Sequence, residues 1–304
     1  MIKTVRVTNY LGESLTLELS NPWDIGIAIT KIEGLGPVKA DINSTEISSG
    51  DGARFNSARI GTRNIVFTFR LLEAPTVEDS RQKTYKYFPI KTNVTLLFET
   101  DNRLCQITGY VESNKPNIFS EEEDTQVSII CPNPYFISMD NGGMNTVVFF
   151  GNEPTFEFPF SNESLTEPLI VFGNIKLRQE EVVPYDGDSQ VGFTIKMHAL
   201  GEVRQITIYN TKTRESMKID TDILDEITGS GITAGDEITI STIKGDKHIT
   251  LLRNGEEINI LNALGKDVDW FQLAKGDNRF AYICEYGAEN LEFSINYQTL
   301  YEGV

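Results

Sequence analysis

The stretch that best defines the fold is residues 64–70, Asn-Ile-Val-Phe-Thr-Phe-Arg, in which polar and apolar side chains alternate except at Val66. Alternation of this kind, with β-branched and aromatic residues, predicts a strand that buries one face. Similar runs occur on either side, at residues 15–20, 93–98 and 236–241. Short turn sequences separate them, and Asn254-Gly255 is the strongest hairpin signal because a type I′ turn needs positive φ at both central residues. We therefore predict an all-β chain built of sandwiches or barrels.

One helix interrupts this pattern. Thr76 is a suitable N-cap, the segment from Val77 to about Tyr87 contains helix formers without Gly or Pro, and Pro89 stops its continuation. A second, short helical turn is predicted over residues 261–264, with Gly265 as its C-terminal stop. The fold class is thus all-β with minor helix.

The length of 304 residues favours two domains, with one large β domain as the alternative. We place the boundary after the Asn-Pro-Tyr-Phe-Ile run at residues 133–137, giving domains at 1–139 and 140–304. The first part carries 14 basic and 17 acidic residues, and the second carries 13 and 27. This difference in charge indicates that the two domains present surfaces to different surroundings.

The whole chain is acidic, with 44 Asp and Glu against 27 Lys and Arg and a formal charge of −17. Nucleic-acid binding and docking on an anionic membrane both require clustered cations, so this balance disfavours both. No apolar run approaches the roughly 20 residues of a membrane helix. The N-terminus lacks a signal-peptide pattern, so we expect synthesis in a cytoplasm and no export through a signal peptide.

Residues suited to catalysis or metal binding are few. The two histidines, His198 and His248, have no partner at a metal-ligand spacing, and the three cysteines form no Cys-x-x-Cys pair. We interpret the cysteines as buried reduced thiols and the Asp pairs at residues 186–188 and 220–222 as turns. No catalytic residue, cofactor or metal is predicted.

Two groups of residues are candidates for binding. Basic residues punctuate apolar ones between residues 54 and 70, which predicts a long hairpin with a charged face that pairs with a neighbouring copy or is simply solvated. The inter-subunit candidates are Arg54, Arg59, Arg63 and Arg70. Trp270, beside Asp269, is the candidate for stacking on a sugar, against the alternative that it fills the core.

Several motifs, in this order, resemble the distal tail protein family of siphovirus-type bacteriophages. They are Asp-Gly-Ala-Arg-Phe-Asn-Ser-Ala-Arg at 51–59, the strand at 63–69, Tyr-Lys-Tyr-Phe-Pro-Ile-Lys at 85–91, Gly-Tyr-Val-Glu at 109–112 and Cys-Pro-Asn-Pro-Tyr-Phe at 131–136. Residues 235–240, 254–255, 270–273 and 276–278, with a closing Tyr301, resemble the galectin-like C-terminal sandwich of that family. The resemblance spans nearly the whole chain, and residues 145–200 contribute least to it.

The resemblance implies a structural virion protein of the phage tail, assembled in the bacterial cytoplasm. It implies an N-terminal sandwich or barrel-like domain that forms a hexameric ring, and a galectin-like domain that decorates its outside. The implied partners are other copies of the chain, the tail tube protein, the tail-associated tip protein and receptor-binding proteins. Genomic DNA would pass through the lumen without specific binding, and no membrane contact is implied.

Two other functions stay open on the sequence alone. A carbohydrate-binding module is one, since the implied C-terminal fold resembles galectins, although fold does not carry function. The residues at 248–253 do not clearly reproduce the arrangement of a galectin sugar site. A wall hydrolase is the other, and it is the weaker because catalytic motifs are lacking.

Overall fold

The computed structural model of the chain describes residues 1–48, 50–154, 173–177 and 179–304. It separates into two compact units, the first comprising Met1–Gly143 with Leu300–Val304 and the second comprising Met144–Thr299. The division falls four residues after the expected boundary, and the last five residues belong to the first unit. The second unit is therefore an insertion between two segments of the first.

The described part of the first unit contains a nine-stranded antiparallel sheet, a separate two-stranded hairpin and one α-helix. The elements are β1 (Ile2–Thr8), β2 (Ser14–Glu18), β3 (Ile27–Glu33), β4 (Ala40–Glu46), β5 (Ala53–Ile60), β6 (Arg63–Leu71), α1 (Val77–Tyr87), β7 (Asn93–Thr100), β8 (Leu104–Asn117), β9 (Asp124–Cys131), β10 (Phe136–Ser138) and β23 (Leu300–Tyr301). The main sheet has the order β2-β1-β7-β8-β9-β6-β3, and β10 pairs with both β8 and β23.

This sheet curls around an aromatic core. Phe67 on β6 stacks on Phe98 on β7 with ring centroids 6.4 Å apart, although β8 and β9 separate the two strands in the sheet. Phe88, just after α1, contacts both Phe67 and Phe69. Because the inward residues of β6 are Ile65, Phe67 and Phe69, the alternation in the sequence correctly predicts the buried face of this strand.

Helix α1 spans Val77–Tyr87, as the sequence predicts. The Thr76 hydroxyl accepts a hydrogen bond from the Asp79 backbone N–H at 3.1 Å and donates to the Asp79 carboxylate at 2.6 Å. This satisfies one of the N–H groups that the first turn of a helix leaves without partners. Neither α1 nor the second helix, α2 (Thr221–Thr228), is long and apolar enough to span a membrane, and the same holds for every helix in the described ranges.

The strands in the described part of the second unit are β11 (Asn145–Val148), β12 (Phe150–Pro154), β13 (Gly173–Leu177), β14 (Glu180–Tyr185), β15 (Thr194–Ala199), β16 (Arg204–Asn210), β17 (Glu215–Ile219), β18 (Glu237–Ser241), β19 (His248–Arg253), β20 (Glu256–Asn259), β21 (Gly276–Tyr286) and β22 (Leu291–Tyr297). They form a six-stranded sheet with the order β11-β22-β15-β18-β19-β20, a four-stranded sheet with the order β14-β21-β16-β17, and a β12-β13 pair.

The six-stranded and four-stranded sheets share one hydrophobic core and form a sandwich. Tyr282 on β21 stacks on Phe293 on β22 with centroids 5.0 Å apart, which joins the two sheets directly. The predicted Asn254-Gly255 turn links β19 to β20 with φ of 53° and 81°. The chain is thus all-β with minor helix, as predicted.

One smaller prediction is also confirmed, since residues Leu261–Ala263 form a 3₁₀ turn close to the expected position. The interpretation of the Asp pair at 220–222 as a turn is wrong. The Asp220 side chain caps α2 by accepting a hydrogen bond from the Asp222 N–H at 3.0 Å, so these aspartates belong to the start of a helix that the sequence analysis does not predict.

Candidate assembly surface

The strand pair formed by β4 and β5 is the most exposed secondary structure in the described part of the first unit, and we call these two strands the arm. Its two strands pair only with each other among the described strands. Apart from Ala40 and Ile60 at the base, the side chains of both strands are exposed. An isolated two-stranded hairpin is marginally stable in water, so this one lacks the support that other strands of the unit receive.

The arm has an apolar face and a polar face. Cross-strand partners point to the same side of a ribbon, and successive residues of a strand alternate. The pairs Ala40↔Ile60, Ile42↔Ala58 and Ser44↔Phe55 therefore share a face. On that face Ile42 is 68% exposed and Phe55 is 63% exposed.

A β-bulge creates this arrangement. The register shifts between Asn43↔Ser57 and Ser44↔Phe55, so Asn56 is an additional residue in β5. Without the shift, strict alternation would place Phe55 on the opposite face from Ala58. The Asn56 amide donates to the Thr45 hydroxyl at 2.7 Å, which holds the bulge.

The polar face carries Arg54 and Arg59. Arg59 lies opposite Asp41 at 3.5 Å, and both side chains are well exposed. An exposed ion pair of this kind contributes little to stability. No ion pair involves Arg54 within the described part of the chain. Both guanidinium groups are thus available to a partner.

Arg63, the third candidate, is buried, with 2% of its surface exposed. Its guanidinium donates to the carbonyl oxygens of Gly34, Gly36 (2.7 Å), Pro134 (2.6 Å) and Glu302 (2.6 Å), and it lies over the Phe136 ring at 4.5 Å. Burial lowers the pKa of this guanidinium from its ordinary value. Arg63 therefore holds the C-terminal segment inside its own unit, and its role at a subunit interface stays a prediction.

Arg70, the fourth candidate, lies at the far end of β6, where it forms an ion pair with Glu122. β6 pairs with β3 and β9, while β5 pairs with β4. The run from Arg54 to Arg70 therefore does not form the single hairpin expected from the sequence, because β6 is inserted in the main sheet.

Trp270 lies in the second unit, half-buried against its core. The Lys247 ammonium sits 5.2 Å from the centre of its ring. This position agrees with the core-filling alternative for one side of the ring, and stacking on a sugar stays a prediction.

A groove of about 460 Å³ lies elsewhere on the second unit, on the outer face of the six-stranded sheet. His198 lines it between Glu237 on β18 and Glu292 on β22, which are its cross-strand neighbours. The His198 Nδ1 atom lies 3.8 Å from a Glu237 carboxylate oxygen, which is too far for a hydrogen bond, and it has no hydrogen-bond partner among the described residues. The groove combines Lys196 and hydroxyl groups of Thr and Ser residues with these acids, so it offers both donors and acceptors.

Reactive groups elsewhere are shielded. Burial raises the pKa of the Cys105 and Cys131 thiols to about 11 and that of the half-buried Cys284 to about 12. All three are free thiols, and Cys105 and Cys131 are buried as predicted, whereas Cys284 is only partly buried. Within the described residues, no group of three or more His, Cys, Asp or Glu side chains is placed to hold a metal ion.

No family profile matches the sequence, and no curated protein matches it. Among solved structures, the chain is similar to the SPP1 Dit protein (gp 19.1), described as a paradigm of the hub adsorption apparatus in phages that infect Gram-positive bacteria. The two share 12% identity over 98% of this chain and 99% of that one, with a TM-score of 0.62. The chain has the Dit fold.

The chain is more distantly similar to two structures of the phage P2 baseplate in its activated conformation, one with Ca and one with Sr. Each shares 10% identity over 97% of this chain, and they cover 98% and 97% of those chains. Their TM-scores are 0.43 and 0.42.

The basic residues Arg54 and Arg59 of the arm could be identified from the sequence, whereas Ile42 on its apolar face was missed. The alternation in residues 40–46 contains a signal, since Ile42 is the only large apolar residue of that strand. Ile42 and Phe55 lie on the same face of the arm because of the bulge, and the sequence pattern does not reveal that bulge.

Proposed function

We propose that this chain is a structural hub subunit of a phage tail tip or baseplate, which acts by assembly and not by catalysis. The observation that carries the proposal is the full-length similarity of fold to the SPP1 Dit hub protein. The likeness includes both units, since 98% of this chain is covered.

In this proposal, six copies form a ring through their first units. The ring links the tail tube protein to the tail-associated tip protein and the receptor-binding proteins, and the galectin-like second units lie on its outside. Genomic DNA passes through the lumen without specific binding. The protein is assembled in the cytoplasm of the bacterial host and resides in the virion.

The arm supports assembly through the first unit. Its apolar face exposes Ile42 and Phe55, and its strands have no other strand beside them in the described chain. Exposed apolar side chains on a marginally stable ribbon are stabilised when a partner covers them. In a homo-oligomer that partner is a neighbouring copy.

The test is the native mass of the purified chain, measured by light scattering over a range of concentrations, alone and with the tail tube protein. A ring has six times the chain mass of 34.1 kDa, about 205 kDa. We expect that species in at least one of the two samples. A monomer in both, at every concentration, would overturn the proposal.

A second candidate function is binding of a saccharide on the second unit, and the observation that favours it is the groove around His198. Its mixture of acids, a base and hydroxyl groups suits a ligand with neighbouring hydroxyl groups. Retention on host cell walls and on a glycan array tests it. We expect His198→Ala to abolish such binding, with Trp270→Ala as the comparison for the site expected from the sequence. Absence of binding by the unaltered chain would discard this candidate.

A further inference from the structure

A cleft of about 340 Å³ opens on the first unit at the end of β6 where Arg70 and Leu71 lie. Trp23, Leu72 and Val77 supply its apolar lining, and Trp23 is 66% exposed. Residues 120–123, from the loop between β8 and β9, form the opposite wall. The same loop carries Phe119, which is fully exposed. The cleft therefore combines apolar side chains around Trp23 with polar and acidic ones, and Phe119 is a second exposed aromatic residue in the adjoining loop.

The rim of this cleft is acidic. It contains Glu73, Glu121, Glu122 and Glu123. Glu122 pairs with Arg70, and Glu123 pairs with Arg81 at 2.9 Å. No ion pair involves Glu73 or Glu121 in the ranges that the structure describes. The cleft thus has two carboxylates available to cations of a partner.

The arm and the cleft lie at opposite ends of the β3–β6 strand pair. The arm joins Glu33 to Arg63, and Ile27 pairs with Leu71 at the other end. At about 3.3 Å per residue, β6 separates the two by about 25 Å. In a head-to-tail contact, each copy uses one surface to bind the next copy and a different, complementary surface to bind the previous one. Two surfaces at opposite ends of one domain can do this.

The chemistry of the two surfaces is complementary. The arm presents Phe55 on its apolar face with Arg54 and Arg59 on the other. A two-stranded ribbon is only about 5 Å from strand to strand, so long Arg side chains reach past its edges to a rim on either side. Glu73 and Glu121 are exposed on that rim.

Charge favours this cleft as the surface that accepts the arginines of the arm. Glu73 and Glu121 are carboxylates without an ion pair in the described ranges, and opposite charges that face each other across an interface steer the association of two surfaces.

We infer that the arm of one copy docks in the Trp23 cleft of the next copy, with Phe55 against the apolar lining and Arg54 and Arg59 against Glu73 and Glu121. This inference rests on the proposed assembly of the chain with itself. It assigns the two halves of the contact to named residues.

Two reciprocal variants test the contact. The arm variant is Arg54→Glu with Arg59→Glu, and the cleft variant is Glu73→Lys with Glu121→Lys. All four side chains are exposed, so both variants should fold, which circular dichroism and thermal unfolding verify. The control is Lys244→Glu with Lys266→Glu, which makes the charge change of the arm variant at exposed sites of the second unit.

We expect each reciprocal variant alone to need an at least roughly tenfold higher concentration to assemble than the unaltered chain. An equimolar mixture should recover assembly, because each reversed arm then meets a reversed cleft and each unaltered arm meets an unaltered cleft. The control should assemble normally. The readout is mass by light scattering.

Either of two results overturns the inference while leaving the proposed hub function intact. One is assembly of both variants at the concentration of the unaltered chain. The other is loss of assembly in each that the mixture does not restore. Failure of the unaltered chain to assemble, with and without the tail tube protein, is the separate result that overturns the hub proposal.

Discussion

Strands β5 and β6 are consecutive in the chain and similar in composition, yet they lie in opposite environments. Two residues separate Ile60 from Arg63. The side chains of β5 are exposed along almost its whole length, whereas every second side chain of β6 is buried. Arginine is exposed at position 59 and buried at position 63.

The difference comes from the neighbours of each strand. β6 lies between β3 and β9, and its inward face meets the aromatic core. β5 has β4 beside it and solvent on both faces. Arg63 therefore stabilises the fold, whereas Arg59 is exposed and contributes little to it.

The largest effect is expected for Arg63→Ala. The change leaves the carbonyl groups of Gly34, Gly36, Pro134 and Glu302 without their buried donor and opens a cavity. We expect the free energy of unfolding of the first unit to fall by roughly 3–5 kcal/mol. Denaturant unfolding measures it. Arg63→Lys is the companion variant, and its single ammonium should recover only part of the loss because it cannot reproduce the planar fork. Full stability of Arg63→Ala would contradict the structural role.

A somewhat smaller effect on stability is expected in the second unit, where Arg253 pairs with the buried carboxylate of Asp236. Arg253 donates to both Asp236 oxygens, at 2.8 and 2.6 Å, and Asp236 is 2% exposed. Asp236→Asn keeps the shape but removes the charge, and we expect a loss of about 2–4 kcal/mol in the second unit. Denaturant unfolding of this variant, beside the exposed Asp246→Asn as control, measures it.

Arg253 and Arg63 differ in their partners, a carboxylate and carbonyl groups, and this difference predicts that the stability of the two units responds differently to acid. Burial alone would raise the pKa of Asp236, but hydrogen bonds from Arg253 and Thr233 outweigh it and lower the pKa below its ordinary value. A carboxylate with a lowered folded pKa stabilises the protein above its unfolded pKa of about 3.9, and this stabilisation is lost as pH falls through the folded pKa. Arg63 binds carbonyl groups, which do not titrate. We expect Asp236→Asn to flatten the fall in stability of the second unit below about pH 4, and an unchanged acid profile would refute this.

A smaller effect on stability, but a large one on assembly, is expected for Phe55→Asp. Phe55 is 63% exposed, so its replacement should change the free energy of unfolding by no more than about 0.5 kcal/mol. Its loss removes the apolar contact of the arm, and we expect the ring species to disappear from light scattering. Leu252→Asp, at an exposed site of the second unit, is the control. Normal assembly of Phe55→Asp would exclude the arm from the interface.

The smallest effect on stability is expected for Asp41→Asn. It breaks the exposed pair with Arg59 at 3.5 Å, and such pairs contribute little. We expect no measurable change in the thermal midpoint. A clear drop would show that the arm has more intramolecular support than its exposure indicates.

Features that depend on neighbouring residues could be predicted from the sequence. The alternation of residues 64–70 predicts the buried face of β6, Thr76 predicts the start of α1, and Asn254-Gly255 predicts the β19–β20 turn. Each depends on side-chain periodicity or backbone preferences within a few residues, and these act regardless of the rest of the fold.

Which arginine is buried and which is exposed depends on contacts between residues that are far apart in the chain. The Arg63 guanidinium donates to the Glu302 carbonyl across 239 positions of sequence, because the residues after 299 belong to the first unit. The arm is exposed because β3 and β9 pair with the two edges of β6, and among the described strands β5 pairs with β4 alone. Strand pairing of this kind depends on which of several distant strands binds a given sheet edge, and the local sequence pattern contains no information about that.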